Sequence, residues 1–255
     1  MKKYPKKTVY YESFDCDYTK KELPEKKLPD TYKYYREGAL HSVWHFIVYR
    51  LFATPLAALY KLFIGREKII GKEKLKAAHG GFFIYGNHTC GAADAFIPGI
   101  AVFPRRTFTV VDPKNFSMAV IGRSLYYFGA LPRPEALRSS REFGFAITRR
   151  IYEGGAVVIY PEAHLWDHAS FIRPFSDASF TYPERTGAPA FAMTRVYRKS
   201  GKGYRTEVYI DGPFYANRAV PAKDARAKLA REIREAMEAR SALSDIEIIR
   251  YERKS

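Results

Sequence analysis

The chain has 255 residues, of which 43 are Lys or Arg and 27 are Asp or Glu, so its formal net charge is +16 at pH 7. Because 47% of the residues are apolar and 16% are aromatic, the chain can bury a sizeable core. This composition excludes a disordered basic tail and indicates one large domain, with or without an appendage. A surface this basic attracts nucleic acid, an anionic membrane or acidic soluble partners, and composition does not distinguish among them.

Residues 1–38 are rich in Lys, Tyr, acidic residues and Pro, and Pro24 and Pro29 interrupt any helix. We therefore predict an irregular basic N-terminal arm. The charged opening lacks the apolar core and the cleavage site of a signal peptide. The two cysteines, Cys16 and Cys90, form no CxxC pair, so neither a disulfide framework nor a cysteine zinc site is expected. These features lead us to expect an intracellular, cytoplasmic chain.

Residues 39–65 form the most apolar stretch of the chain. Arg50 lies near its middle and Pro55 divides it, so neither half reaches the ~20 apolar residues needed to cross a bilayer. We predict a hairpin of two short helices, before and after Pro55, that docks on an anionic membrane surface. The residues expected at the interface are Trp44, Phe46, Tyr49, Arg50, Phe52, Tyr60, Lys61 and Phe63. A helical hairpin buried in the core is the alternative.

In residues 66–255, short apolar runs alternate with longer helix-like stretches. This alternation predicts an α/β domain with a mostly parallel central sheet flanked by helices. The predicted strands are residues 82–86, 107–112, 156–160, 189–197 and 206–212. The predicted helices are residues 116–128, 137–153 and 222–240, of which the last has a single apolar stripe.

Polar side chains follow two of the predicted strands. His88 comes after the strand at 82–86 with Asp94 six residues later, and Glu162 follows the strand at 156–160. A neutral imidazole can take a proton from an attacking hydroxyl when a carboxylate fixes its tautomer. A turn histidine and a helix-capping aspartate would explain the first pair equally well. Because the carboxyl ends of parallel strands share one sheet edge, the second cluster favours a common site.

Four segments, in order over roughly residues 67–215, resemble the sequence blocks of the glycerolipid acyltransferase family, which includes the lysophosphatidic acid acyltransferases. Asn87, His88 and Asp94 resemble the first block, an Asn-His pair with a spaced Asp. Residues 129–133 resemble the second block, residues 160–165 the third and residues 187–189 the fourth. The resemblance implies a glycerophosphate-acyltransferase-like fold for residues 66–255.

The resemblance also implies a reaction in phospholipid biosynthesis. A fatty acyl group would move from a thioester, acyl-CoA or acyl carrier protein, to the hydroxyl of a lysophospholipid, with 1-acylglycerol-3-phosphate as the expected acceptor. The thioester is a co-substrate, and neither a cofactor nor a metal is expected. His88 and Asp94 would be catalytic. The expected substrate-binding residues are Asn87, Thr89, Arg133, Glu162, His164 and Arg173. We expect a peripheral protein on the cytoplasmic face of a membrane, with no nucleic-acid partner.

The sequence departs from the family pattern in three places. Five residues separate His88 from Asp94 where the family has four, and we expect Gly91 to absorb the extra residue through its backbone freedom. The third block has Leu165 in place of the family's Arg, and the fourth has Ala192 in place of its second Pro. Since that Arg and the second-block Arg hold the acceptor's phosphate in the family, Arg133, Arg173 and His164 are candidate replacements.

Backbone N–H groups in the turn after His88, at the start of the next helix, are expected to stabilise the developing negative charge.

Other chemistries remain open alternatives. A Cys90 thiol nucleophile is conceivable, although free cysteines are usually buried fillers. The spacing of His164 and His168 invites a metal, but the glutamate of the zinc-helix motif is absent. Ser124 lacks the flanking glycine of a nucleophile elbow. The second function class is a basic nucleic-acid- or membrane-binding protein without catalysis, although no nucleic-acid module is recognisable.

Overall fold

The computed structural model describes residues 4–19, 23–29, 31–36, 38–63, 67–119 and 121–254. The strands are β1 Thr8–Tyr11, β2 Lys68–Ile70, β3 Phe82–Gly86, β4 Thr107–Val111, β5 Ala130–Pro132, β6 Ala156–Ile159, β7 Ala190–Ser200, β8 Gly203–Phe214 and β9 Arg250–Arg253. The α-helices are α1 Ala39–Val48, α2 Thr54–Phe63, α3 Gly91–Val102, α4 Leu137–Tyr152, α5 Thr181–Thr186 and α6 Ala222–Ser241.

The central sheet has seven strands in the order β2-β8-β7-β3-β6-β4-β5. Every neighbouring pair is parallel except β7 and β8, which confirms the prediction of a mostly parallel sheet. Strand β3 lies between β6 and β7, and its residues are buried on both faces, as expected for an uninterrupted apolar run inside a parallel sheet.

Helices cover both faces of this sheet, and the two cores follow from the alternation along β3. Phe83 and Tyr85 pack in the core formed with α4 and α6. Phe82 and Ile84 point to the opposite face and pack with α3 residues such as Ile97. The predicted helices at 137–153 and 222–240 are confirmed as α4 and α6, and the buried stripe of α6 includes Leu229 and its neighbours one turn apart.

The predicted helix at residues 116–128 is wrong. The segment instead contains two short 3₁₀ turns, Pro113–Ser117 and Gly122–Ser124, and then runs into β5. A Cβ atom on Gly122 would lie 2.5 Å from the carbonyl oxygen of Phe116, so the backbone folds back on itself more tightly than an α-helix allows. The compact loop leads the chain directly to β5 beside β4.

The sequence predicts an irregular arm over residues 1–38, but part of this segment has regular structure. Residues Thr8–Tyr11 form strand β1, which pairs in parallel with β9 near the other end of the chain. Val9 packs against the small core formed by Tyr197, Ile248 and Ile249. The strand forms because its partner supplies the backbone hydrogen bonds, and that partner lies more than 200 residues away in the sequence.

The predicted hairpin at residues 39–65 is also wrong in its geometry. Helices α1 and α2 are joined by a π-helical segment, Tyr49–Ala53, and both Val48 and Thr54 have right-handed helical backbone angles. The run therefore continues without a reversing turn. Pro55 lies in the first turn of α2, directly after the wide π turn, which relieves the clash that proline causes inside a regular α-helix.

Two tyrosines predicted for a membrane interface instead anchor this helical segment to the domain. The Tyr49 hydroxyl accepts a hydrogen bond from the backbone N–H of Thr107 (3.1 Å), and Tyr60 is buried against α3. The side chains of Lys61 and Phe63 lie outside the described part of the chain. Among the residues that the structure describes, no helix is both long enough and apolar enough to cross a membrane.

Candidate active site

The site lies where two adjacent strands send their connections to opposite faces of the sheet. After β3 the chain enters α3 on one face, whereas after the neighbouring β6 it leads to Phe180 and α5 on the other. Such a switch point opens a crevice at the carboxyl ends of the strands, and ligands of α/β proteins bind there. The His88 loop and the Glu162 loop form its two sides.

His88 and Asp94 form a hydrogen-bonded pair in this crevice. The Nδ1 atom of His88 lies 2.8 Å from Oδ2 of Asp94. The same carboxylate oxygen accepts the backbone N–H groups of Thr89 (3.1 Å) and Cys90 (3.0 Å). Because an ionised carboxylate can only accept, Nδ1 of His88 carries the proton and the lone pair lies on Nε2. The His88 side chain is 22% exposed, and Nε2 has no hydrogen-bond partner among the described residues.

The five-residue spacing between the pair is accommodated in an unexpected way. Gly91 is the first residue of α3 and does not have a positive φ, so the expectation that glycine freedom absorbs the extra residue is wrong. Asp94 instead lies in the first turn of α3, and its carboxylate points back along the helix towards the preceding loop. The geometry of a helix start, where N–H groups lack intrahelical partners, makes this capture possible.

Tyr160 supports the imidazole from the neighbouring strand end. Its ring stacks on His88 with the centroids 4.7 Å apart and an interplanar angle of 25°. Its hydroxyl donates a 2.7 Å hydrogen bond to the backbone carbonyl of Asp94. Burial raises the pKa of Tyr160 well above its ordinary value, so the phenol stays protonated. The stacking restricts the plane of the His88 ring, and the hydrogen bond ties Tyr160 to the backbone of Asp94.

Two of the predicted substrate-binding residues lie inside the protein. Asn87 is 3% exposed and exchanges two hydrogen bonds with the backbone of Arg195, which ties the end of β3 to β7. The Thr89 hydroxyl is fully buried, 3.0 Å from that of Tyr197. Both side chains therefore support the His88 loop, and their predicted contact with substrate stays a prediction.

Glu162 and Arg173 form an ion pair behind the same loop. Their side chains are 0% and 1% exposed, with 2.5 Å between Oε2 and Nη2. Glu162 also accepts the backbone N–H of His88 (2.9 Å), while Arg173 donates to the His88 carbonyl (3.2 Å). The pair thus hydrogen-bonds to both the N–H and the C=O of His88. Arg173 is therefore not open to a phosphate in this structure.

The two exposed candidates for anion binding are each paired with a carboxylate. Arg133 is 57% exposed and lies 3.5 Å from Asp112. It follows β5, three strands away from β3, which corresponds to about 14 Å across the sheet. His164 is 34% exposed and lies 3.6 Å from Asp17 of the arm, which also binds Lys114.

The backbone amides nearest His88 are already occupied. Because the N–H groups of Thr89 and Cys90 bind Asp94, they cannot stabilise an oxyanion as the sequence suggests. The next amides, those of Gly91 and Ala92, belong to the first turn of α3 and have no acceptor among the described residues. Both residues are exposed, so these two amides remain available to an anion at the mouth of the crevice.

The alternative chemistries find little support in the geometry. Burial raises the pKa of the Cys90 thiol, which lowers the thiolate fraction that a nucleophile needs. In the described ranges, no group of three or more His, Cys, Asp or Glu residues is arranged to hold a metal ion. His164 faces Asp17, whereas Nε2 of His168 lies 3.0 Å from the Tyr204 hydroxyl.

The fold is similar to a solved structure, the 1-acyl-sn-glycerophosphate (LPA) acyltransferase PlsC from Thermotoga maritima. The TM-score is 0.50 and the sequence identity 13%, and the match covers 78% of this chain and 94% of that one. The chain has a PlsC-like fold. No protein-family model matches the sequence, and no curated protein matches it either.

One backbone detail agrees with the block resemblance within this PlsC-like fold. Ala163 stands where the third block of the acyltransferase family has glycine, and its φ is 63°, in the left-handed region that favours glycine. Ala163 thus adopts a backbone conformation that glycine adopts more readily.

Arg195, which lies next to the pair, and its partner Glu67 were both missed at the level of sequence. Arg195 lies inside β7, its Nη2 3.4 Å from Oδ1 of Asp94, and its Nη1 is 3.0 Å from Oε1 of Glu67. The signal was an arginine within a mostly apolar predicted strand, since a buried arginine requires an anionic partner. The sequence does not say which carboxylates supply that partnership.

Proposed function

We propose that this chain is an O-acyltransferase that moves a fatty acyl group from a thioester donor to the hydroxyl of a lysophospholipid, with His88 as the general base. The observation that carries the proposal is the His88–Asp94 pair at the switch point, with Nδ1 held and Nε2 open. The PlsC-like fold supports acyl transfer as the reaction class.

The proposed reaction is a direct transfer. Nε2 of His88 removes the proton from the acceptor hydroxyl as its oxygen attacks the thioester carbonyl carbon. A C–O bond forms, the C–S bond of the tetrahedral intermediate breaks, and the thiolate leaves with the proton returned by the imidazolium. The products are an ester and a free thiol. Asp94 stabilises the imidazolium between the two proton transfers.

The tetrahedral intermediate carries a negative charge, and stabilising it requires hydrogen-bond donors that are not already bonded within the protein. We assign this role to the amides of Gly91 and Ala92 at the start of α3, where the helix dipole also favours an anion. No covalent enzyme intermediate is required, in keeping with the raised pKa of the Cys90 thiol.

For the acceptor we propose 1-acylglycerol-3-phosphate, and for the donor acyl-CoA or acyl carrier protein. The net charge of +16 favours these anionic substrates, and we assign their phosphate to two partly exposed basic groups, His164 on the Glu162 loop and Arg133 after β5. Each has a carboxylate partner that a phosphate would have to replace. An acceptor without phosphate is therefore the necessary comparison in any assay.

We further propose that the α1–α2 segment docks on the cytoplasmic face of a membrane with anionic lipids. Its exposed apolar residues are Leu40, Val43, Trp44, Phe46, Leu51, Phe52, Leu56 and Leu59, and Phe103 extends them. The Arg50 guanidinium lies 5.7 Å from the ring centre of Phe46 and 5.4 Å from that of Phe103, a position suited to lipid phosphates.

The docking proposal is tested by flotation with anionic vesicles. Replacing Leu51 and Phe52 together by Ser should lower partitioning about tenfold or more, because each side chain would otherwise bury apolar area in the interface. Phe145→Ser removes a similarly exposed ring from α4 and should leave partitioning unchanged. Equal binding of all three proteins would overturn the docking role.

The enzymatic proposal is tested by an acyl-transfer assay of the full chain. Acyl-CoA and acyl carrier protein are each offered with lysophosphatidate, lysophosphatidylcholine and monoacylglycerol, and both thiol release and ester formation are measured. His88→Gln should lower turnover by about 10²-fold or more, whereas His79→Gln, at an exposed loop position, should not. No transfer with any pair, together with vesicle or duplex binding, would favour a binding protein without catalysis.

A further inference from the structure

A buried row of charges extends from the His88–Asp94 pair to the helical segment. The Arg195 side chain is 5% exposed and lies between two carboxylates, with Nη2 3.4 Å from Asp94 and Nη1 3.0 Å from Glu67. Glu67 directly precedes β2, and its side chain is 6% exposed. The hydroxyl of Tyr60, on α2, donates to the same Glu67 oxygen (3.2 Å). Helix α2 thus fixes the far end of the row.

Arg195 remains cationic in this position. Burial alone would lower the pKa of its guanidinium, but Asp94 above all, followed by Tyr197, Cys90 and Glu67, raises it well above its ordinary value. The other titratable groups around Arg195 stay neutral, because burial raises the pKa of each of them: Tyr60, Cys90, Tyr160 and Tyr197. The Glu162–Arg173 pair on the other side of His88 is neutral as a unit.

The sign of the charges decides how easily His88 can accept a proton. Arg195 alone would cancel the charge of Asp94 and oppose an imidazolium beside it. Glu67 offsets the positive charge of Arg195, so that the charge of Asp94 is not cancelled. Two carboxylates and one guanidinium leave a single net negative charge, which the imidazolium of His88 then neutralises.

Stability does not explain this arrangement. Oε2 of Glu67 and Nε of Arg195 are buried without a hydrogen-bond partner in the described part of the chain. Buried ion pairs with incompletely satisfied groups are often no more stable than apolar residues of similar volume. The row is better explained by its effect on the neighbouring base.

We propose that Arg195 and Glu67 are positioning residues, Arg195 orienting the Asp94 carboxylate and Glu67 compensating the charge of Arg195 so that His88 can be protonated. The effect on turnover rests on the proposed acyltransferase function. The effect on His88 itself does not, and it can be measured without substrate.

The experiment is an NMR titration of the histidine imidazoles in the full chain, with the His88 signal assigned from its loss in His88→Gln. Glu67→Gln keeps both hydrogen bonds but removes a negative charge, so the His88 midpoint should move to lower pH. A unit charge about 10 Å away, at an effective dielectric constant of about 20, shifts a midpoint by about one pH unit. Arg195→Met should move it to higher pH by a larger amount, because Arg195 lies between Glu67 and the His88–Asp94 pair, and the midpoint of the double variant should fall between those of the two single variants.

Shifts of opposite sign that partly offset each other in the double variant are a result that a purely structural role would not produce. Glu238→Gln makes the same change at an exposed position on α6 and should leave the midpoint unchanged. An unchanged midpoint in Glu67→Gln, or shifts of the same sign in both single variants, would overturn the proposal. If Arg195→Met does not fold, Glu67→Gln decides alone, and Arg195→Lys, which keeps the positive charge, should retain the wild-type midpoint.

Activity measurements separate this inference from the proposed function. The acidic limb of the pH dependence of kcat/KM should move with the NMR midpoint in each variant. NMR shifts of the expected signs in a protein that transfers no acyl group would preserve the charge balance and refute the acyltransferase.

Discussion

Replacing Asp94 by Asn tests the proposed catalytic pair with the smallest change in shape. In the wild type, Oδ2 of Asp94 accepts from Nδ1 of His88 and from the N–H groups of Thr89 and Cys90, while Oδ1 faces Arg195. An amide has one oxygen and one NH₂ group for these four donors. If the NH₂ group faces Arg195, two donors oppose each other, and if it faces the loop, it opposes two backbone N–H groups and the histidine proton.

In either orientation, the asparagine holds the imidazole of His88 less firmly than the carboxylate does. A histidine that adopts the other tautomer carries its proton on Nε2 and cannot take one from the acceptor. The imidazolium also loses its adjacent negative charge. We therefore expect turnover to fall by about 10²- to 10⁴-fold, the range found when a general base loses its orienting carboxylate. The assay is thiol release from the thioester donor at saturating acceptor, with circular dichroism melting as the folding control.

A matched control is available on another helix. Asp224 also lies in a first turn, that of α6, but it is exposed, so Asp224→Asn should leave turnover unchanged. If Asp94→Asn retains turnover within about tenfold of the wild type while remaining folded, the assignment of His88 and Asp94 as base and orienting carboxylate is refuted.

Three further predictions concern stability, mechanism and pH. Arg173→Met leaves Glu162 as a buried charge without its partner and should lower the free energy of unfolding by about 3–5 kcal/mol in urea denaturation. Arg250→Met removes one partner of an exposed ion pair and should change the free energy of unfolding little. Equal losses in the two variants would contradict the stabilising role of the buried pair. Cys90→Ala should keep full acyl-transfer activity, and a loss beyond tenfold would revive a thiol mechanism. Burial would raise the pKa of Asp211, but its Arg and Lys partners lower the pKa overall. The stabilisation of the folded state by this carboxylate is therefore complete above the unfolded pKa of about 3.9, and it is lost as the pH falls through the lower folded pKa. Asp211→Asn should therefore be destabilising in urea at neutral pH and progressively less so below about pH 4, and a pH-independent difference would contradict the ion pairs.

The sheet was predictable because its interior strands carry their own signal. Strand β3 matches its predicted bounds, since an apolar run that ends in glycine fits a strand covered on both faces. Segments whose structure depends on distant partners were not predictable. Strand β1 needs β9 for its hydrogen bonds, and the loop before β5 folds around a close approach of Gly122 to Phe116.

The α1–α2 segment also has features that the sequence predicts and features that depend on distant partners. Its composition indicates helix and exposed apolar surface, and the structure contains both. The sequence could not indicate that a π turn carries the chain past Pro55 without reversal. Nor could it show that Tyr49 bonds to Thr107 across the fold, because a tyrosine at an interface and a buried one with a partner have the same local pattern.

The sequence by itself determined the parallel sheet and the two polar loops at its carboxyl edge, because hydrophobic periodicity encodes them, and the block resemblance added the pairing of His88 with Asp94. Only the tertiary structure decided what surrounds the pair. It placed Glu162 and Arg173 behind the loop, occupied the amides of Thr89 and Cys90, brought Arg195 to the Asp94 carboxylate and brought Glu67 to Arg195. Those contacts join residues up to 128 positions apart, and electrostatic energy depends on distance in space, which a linear pattern does not contain.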